Sequence, residues 1–341
     1  MDPDAQVGHK QARLLADFAA HGLTPERVLA PLRSEPWAYR RRARLGCKLV
    51  PGKGKVVVGF REKDRRFIAD LERCEVLAGP GGALIPLLSE QLGALEIAAK
   101  IPQIEVSVAD DEPGAPTALV MRVLEPPGPA DLERLRALAR EHDLRIFLQP
   151  GGLDTVAPLD EDTPALLDYR LPAYDLRLSF RPTDFVQVNA GINRAMIDQA
   201  LELLAVEPQH RVLDLFCGLG NFSLPLARRA HAGEVLGVEG DRGLVERARA
   251  NAAQNHLANA RFETRDLYTQ VGELEWLHDG STQPFDRVLL DPPRSGALAI
   301  VEQFAAIAAP RVVYVACSPS SLARDAAVLV ERHGYHLRAA G

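Results

Sequence analysis

The sequence predicts an α/β protein in which a doubly wound parallel sheet follows a smaller α+β domain. Three observations carry this. After Pro182, strand-like and helix-like runs alternate at regular spacing through residue 333. The first of those strands leads directly into a glycine-rich turn, as a strand does when it hands over to a helix. Clusters of Pro and Gly at 113–116 and 126–129 punctuate the less regular runs before it. The expected divisions are an N-terminal helix over 1–30, the α+β domain over 31–178 and the sheet domain over 179–341.

In chain order, residues 1 to about 30 read as one amphipathic helix, with Leu14, Leu15 and Phe18 on one face and Gly22 closing it. The α+β part offers strands at 55–60, 104–108, 117–124 and 144–148 and helices near 80–100 and 130–142. A helix over about 190–205 leads into strands at 211–216, 235–239, 260–264, 286–291 and 311–316. Helices at 221–231, 241–256, 298–308 and 320–333 alternate with them. The last strand is rich in β-branched, apolar residues, with Val312, Val313 and Val315, which suits a buried parallel strand, and Pro319 stops it.

Composition narrows the class. With 341 residues, 47% hydrophobic and 25% charged, the chain has room for two ordinary globular domains. Cys47, Cys74, Cys217 and Cys317 form no C-x-x-C pair and no compact secreted framework, which argues for reduced thiols over disulfide staples. The N-terminal stretch is polar, without an apolar signal core, and no run approaches the roughly 18 apolar residues that a membrane span needs. The expectation is a monomeric cytoplasmic protein with no membrane partner and no obligate protein partner.

A net charge of −6 weighs against polyanion binding, but the charge is uneven. From Arg33 to Arg73, thirteen Lys and Arg stand against five Asp and Glu. Arg40, Arg41, Arg42 and Arg44 pass into Lys53 and Lys55, beside the strand-like Val56-Val57-Val58. Such a run is either a solvated face or a phosphate-binding one. A base-directed nucleophile elsewhere in the chain favours RNA contact, because phosphate neutralisation supplies most nucleic-acid affinity.

The first strand of the sheet ends in Asp214-Leu215-Phe216-Cys217-Gly218-Leu219-Gly220-Asn221. This single G-x-G lacks the third glycine of a dinucleotide fingerprint and is led by Asp214, which disfavours a pyrophosphate. About twenty residues on, Glu239 closes the second strand where a carboxylate suits two ribose hydroxyls, and Asp266 follows the third where an adenine amino group could be read. The three loops together describe an S-adenosylmethionine (SAM) site better than an NAD site.

Two further motifs sit at strand ends. One is Leu290-Asp291-Pro292-Pro293-Arg294; the other delivers Cys317 to a turn just before Pro319. A free cysteine at a strand end is commonly a small core residue, yet open α/β sheets bind ligands at such carboxyl ends. The chemistry that needs it is attack of a thiolate on a base beside the SAM pocket. Cys317 then needs a polar or positive surrounding, for which the helix start after Pro319 and Arg324 are candidates. Asp291, stiffened by two prolines, is suited to hold the edge of that base, with Gln187 assisting. The competing chemistry is amino-group methylation by a D/N-P-P-aromatic loop; here Arg294 occupies the aromatic position, and that mechanism has no use for a downstream cysteine.

Five ordered segments carry a resemblance along the whole chain: PWAYRRRARL at 36–45, DFVQVNAGIN at 184–193, VLDLFCGLGNFSLPLA at 212–227, LLDPPRSGA at 289–297 and YVACSPSSLARD at 314–325. They resemble the bacterial uracil-C5 RNA methyltransferases, most closely the branch that acts on 23S ribosomal RNA and carries an iron–sulfur cluster. The resemblance implies a Rossmann-like SAM-dependent methyltransferase sheet with an RNA-binding α+β domain. It implies that Gln187, Asp214, Phe216, Gly218, Asn221, Glu239, Asp266 and Asp291 line the SAM and uracil pocket, with Cys317 as nucleophile. The family usually has Asn after that cysteine, where this sequence has Ser318.

The same resemblance implies an unpaired or flipped uridine in 23S ribosomal RNA as substrate, with transfer RNA as the alternative. Cluster-bearing relatives hold a 4Fe-4S group with three cysteines ahead of the 8–15 region and a fourth at the position of Cys74. With Cys74 alone matching, the cluster is not expected on this chain. The general-base Glu of the family falls beyond Gly341, so slow resolution of the covalent adduct is expected, and a catalytically impaired RNA-binding remnant is the other role considered.

Overall fold

The computed structural model describes residues 2–110, 114–268 and 284–341. The chain forms two compact units: one of Met1–Arg33, Leu171–Leu178 and Arg194–Gly341, the other of Ser34–Arg170 and Ser179–Asn193.

In the first unit, α1 (Pro3–Ala20) begins where the Asp2 carboxylate accepts the Ala5 N–H at 3.0 Å. It ends two residues before Gly22, whose φ of +70° a side chain would resist, so the helix is shorter than the expected 30 residues. A short β1 (Arg27–Val28) follows.

The second unit is a six-stranded sheet: β2 (Arg42–Val50), β3 (Lys55–Gly59), β4 (Gln103–Val108), β5 (Thr117–Arg122), β6 (Leu144–Gln149) and β7 (Ala157–Pro158), in the order β3-β2-β4-β5-β6-β7. The neighbours are antiparallel except β5 and β6, which run parallel on either side of the crossover helix α3 (Pro129–Glu141). A second helix, α2 (Leu84–Gly93), covers only the centre of the expected 80–100 segment, between two 3-10 turns at Gly79–Gly82 and Ala98–Lys100. The core joins Leu45, Val56, Ile85, Leu88, Ile104, Leu119, Leu135 and Ile146. Strand β2 was not expected. Its Ala43, Leu45 and Cys47 are buried while Arg44 and Lys48 are exposed, a two-residue period hidden by its basic residues.

Strands β8 (Leu167–Leu171) and β9 (Leu176–Phe180) pair, and α4 (Ala190–Leu204) leads back to the first unit. There the chain alternates β10 (Arg211–Leu215), α5 (Ser223–Arg229), β11 (Glu234–Glu239), α6 (Arg242–Gln254), β12 (Ala260–Thr264), β13 (Arg287–Leu290), α7 (Leu298–Val301), β14 (Arg311–Tyr314) and α8 (Pro319–His333). The five strands are parallel in the order β12-β11-β10-β13-β14. The strand order therefore reverses between β10 and β13, the topological switch point at whose carboxyl ends such sheets bind ligands. Leu213, Leu215, Val238, Val288, Leu290 and Phe304 form its core. A terminal β15 (Ala339–Ala340) pairs in parallel with β1, and Phe18 of α1 packs against Ala323, Ala326 and Ala327 of α8.

Candidate active site and cofactor pocket

The turn after β10 is built to leave its backbone open. Phe216, Gly218 and Gly220 have φ of +65°, +56° and +98°. A side chain at Gly220 would meet Leu224 Cδ1 at 2.3 Å, so that glycine lets α5 approach, whereas a Cβ on Gly218 would meet nothing within 4 Å. For Phe216 the left-handed conformation costs about 1–2 kcal/mol. It is held by its N–H, which donates to Val238 O at 2.9 Å. Such strain is characteristic of ligand-binding turns. Asn221 follows, half-buried.

Asp214 has no solvent exposure; Oδ2 accepts the Ser223 hydroxyl and Oδ1 is buried without a hydrogen-bond partner. Burial, more than the nearby Asp291 and Glu239 carboxylates, pushes its carboxyl up to about 8, against the pull of the Ser223 bond. At the end of β11, Glu239 Oε2 accepts the Gly218 N–H at 3.1 Å and Oε1 accepts that of Asp241 at 3.0 Å. Asp266 Oδ1 accepts the Tyr268 N–H at 2.8 Å, and the Tyr268 ring stands 5.6 Å from that of Phe216. Sequence reasoning missed Tyr268; an aromatic residue two places after Asp266 was the available signal. The unpartnered oxygen of Asp214, the open approach at Gly218 and the carboxylate of Glu239 fit an adenosyl ligand that carries an amino-acid moiety.

Asp291 and Cys317 leave adjacent strands on the same edge. Leu290 and Tyr314 are register partners, the Asp291 N–H donates to Leu215 O at 3.2 Å, and the Val315 N–H to Leu290 O at 2.8 Å. Cys317 is exposed at the bend just before Ser318, the cap of α8, whose carbonyl accepts the Leu322 N–H at 3.1 Å. Cys217, by contrast, is buried, and burial pushes its thiol well up. Arg324, expected beside the thiol, is committed elsewhere: it donates to Asp325 Oδ1 at 2.6 and 2.8 Å and to Ser295 O at 2.8 Å.

The basic residues belong to the second unit and divide into two groups. Arg41 is 2% exposed, lies 4.5 Å over the Tyr169 ring and donates to Gln187 O at 2.9 Å, which corrects its expected place in a phosphate-binding surface. Arg42 is likewise largely enclosed and donates to Glu105, Thr183 O and Asp184 O. Both hold the 183–188 segment that carries Gln187. Arg44 pairs with Glu105 yet stays exposed, Arg40 is half-buried, and Lys53 and Lys55 reach Asp70 from exposed positions. The register of β2 against β4, which sets Arg44 opposite Glu105, explains why a continuous basic run does not make a continuous basic face.

Cys74 is half-buried and its N–H donates to Gly82 O at 3.3 Å. Among the described residues no group of three or more His, Cys, Asp or Glu could hold a metal ion. No helix among the described residues is long and apolar enough to cross a membrane.

The parallel sheet and its acidic, glycine-containing cradle define a Rossmann-like methyltransferase. A family model described as tRNA (Uracil-5-)-methyltransferase matches residues 130–339. The 23S rRNA (uracil(1939)-C(5))-methyltransferase RlmD of Alkalilimnicola ehrlichii is 53% identical over 100% of this chain and 75% of that protein. Its namesake from Xanthomonas campestris is 46% identical over 100% and 74%. The chain belongs to the RNA uracil-C5 methyltransferase family. In fold it is similar to the Pyrococcus abyssi tRNA (uracil-54, C5)-methyltransferase solved with S-adenosyl-L-homocysteine. That match has a TM-score of 0.72 at 22% identity and covers 96% of this chain and 77% of that one.

Proposed function

We propose that this chain methylates C5 of a uridine in 23S ribosomal RNA through a covalent adduct between Cys317 and uracil C6. The observation that carries the reading is the exposed Cys317 at the carboxyl edge that also bears Asp291. The relatives named for 23S ribosomal RNA favour that substrate over transfer RNA.

The Cys317 thiolate forms a bond to C6, and the displaced electron pair of the C5–C6 double bond becomes an enolate shared by C5 and O4. SAM, when bound, supplies an electrophilic methyl group for C5. Loss of the C5 proton to a base then restores the double bond and releases Sγ from C6. Asp291 and Gln187 are assigned to uracil contact, with Asp214, Phe216, Gly218, Asn221, Glu239 and Asp266 assigned to the methyl donor. Because C6 of a stacked base is out of a thiol's reach, the target uridine is unpaired or flipped. Arg40, Arg44, Lys53 and Lys55 are assigned to phosphate contact, which makes affinity fall with salt.

Incubation of the protein with fragments of 23S ribosomal RNA and methyl-labelled SAM, followed by nucleoside analysis, tests this reading. Label on uridine C5 is expected. Label on an exocyclic nitrogen, or on transfer RNA alone, would overturn it.

A further inference from the structure

The Asp325 carboxylate lies eight residues after Cys317 on α8 and has no solvent exposure. Its Oδ2 accepts the backbone N–H of Ala297 and the Tyr314 hydroxyl, each at 2.6 Å, and its Oδ1 takes the Arg324 guanidinium. The same Ala297 N–H also points to the Tyr314 hydroxyl at 3.0 Å, and Arg324 reaches on to Ser295 O. Three separate elements therefore meet on one side chain: the 291–297 loop after β13, the end of β14, and α8, whose cap Ser318 directly follows Cys317. Gly296 lets the loop come this close. A Cβ there would stand 2.5 Å from Asp325 Oδ2 and 2.6 Å from an Arg324 nitrogen, and its φ is +80°.

We propose that Asp325 is a positioning residue that sets the Asp291 loop and the Cys317 turn in register for attack on the base. It rests on the thiol-addition reading above and touches neither substrate nor methyl donor. A buried carboxylate with two neutral donors and one cationic donor is a rigid junction, because every acceptor position it uses is filled by a directional bond. Burial and the neighbouring carboxylate both push the Tyr314 hydroxyl up, so it remains a donor throughout the working pH range. The nucleophile is on an exposed turn, where small shifts are inexpensive. Displacing a reacting atom by about 1 Å can cost on the order of a hundredfold in rate.

The test is the single-turnover rate of covalent trapping with RNA that carries 5-fluorouracil at the target. In the trap, the Sγ–C6 bond forms and C5 receives the methyl while keeping its fluorine. No C5 proton is then left to remove, and the Sγ–C6 bond persists. Asp325→Asn keeps the shape but one oxygen fewer, and Tyr314→Phe keeps the carboxylate but removes one donor. Both proteins are first compared with wild type for thermal melting and for SAM affinity by titration. The expected result for Asp325→Asn is a trapping rate lower by between about ten- and a hundredfold at saturating RNA, with SAM affinity unchanged. Tyr314→Phe should show a smaller fall in the same direction, and it decides the matter if Asp325→Asn does not fold. Unchanged trapping rates, or a fall matched by loss of SAM affinity, would overturn the positioning role. A wild-type protein that forms no trap would instead overturn the thiol reading, and this inference with it.

Discussion

The backbone N–H of Gly218 donates to Glu239 Oε2 at 3.1 Å, so the turn after the first sheet strand and the end of the second are held as one surface. Because Asp241 N–H takes the other oxygen, each carboxylate oxygen keeps a lone pair for a ribose hydroxyl. Glu239→Ala should weaken SAM binding by roughly 1–3 kcal/mol, read by calorimetric titration, since it removes both the proposed hydroxyl acceptor and the brace on Gly218. Unaltered affinity would count against the cofactor assignment.

The buried Asp214 makes stability depend on pH in a set direction. Its carboxyl titrates near 3.8 when free and is pushed up to about 8 here, chiefly by burial. The folded form therefore keeps a proton that the unfolded chain gives up. This contribution is fully present below about pH 4 and is lost as the pH rises through 8. Asp214→Asn carries no charge to bury, so in the absence of SAM its melting temperature should gain on wild type between pH 5 and 8. A difference that shrinks with rising pH would reverse the argument.

Thiol accessibility separates the cysteines. Burial pushes Cys47 up to about 12 and Cys217 well above its ordinary value, while Cys317 is exposed. Iodoacetamide at neutral pH should modify Cys317 in the folded protein and leave Cys47 and Cys217 intact until denaturant is added, as read by peptide mass spectrometry. Modification of Cys217 at the rate of Cys317 would contradict the burial described.

Arg41 and the two lysines should behave differently although all are basic. Arg41→Ala removes a buried donor to Gln187 O and a cation from the Tyr169 face, and should cost about 1–3 kcal/mol of stability in a denaturant titration. Lys53→Ala with Lys55→Ala should leave stability within about 1 kcal/mol, since exposed pairs contribute little. It should weaken RNA binding for all sequences alike and flatten the salt dependence. The reverse pattern would restore Arg41 to the RNA surface.

Most of the parallel strands could be read from the sequence because β10, β11, β13 and β14 are short, largely apolar runs with Gly, Pro or an acid at or near an end, whereas β12, Ala-Arg-Phe-Glu-Thr, is marked only by its place in the alternation. The run expected at 235–239 is Glu234–Glu239 in the fold. The placement of Phe216, Gly218 and Glu239 at or just after strand ends was legible for the same reason. Strand β2 was not legible, since its alternation is written in Arg and Lys and its partner Glu105 lies some sixty residues away. The same distance problem hid the Arg41 to Gln187 bond and the meeting of Ala297, Tyr314 and Asp325, which the fold alone brings together. Arg324 was read as a neighbour of the thiol because the two are close in sequence. Its turn on α8 directs it to Asp325 instead.

The central claim is that Cys317 bonds to the base. Its most direct measurement is mass spectrometry of the peptide that remains attached to 5-fluorouracil RNA after incubation with SAM and denaturation. The nucleotide should be found on the peptide containing Cys317, should be absent from Cys317→Ala, and should persist in Cys217→Ala. Methylation of uridine C5 by the Cys317→Ala protein, or attachment at any other residue, would contradict it.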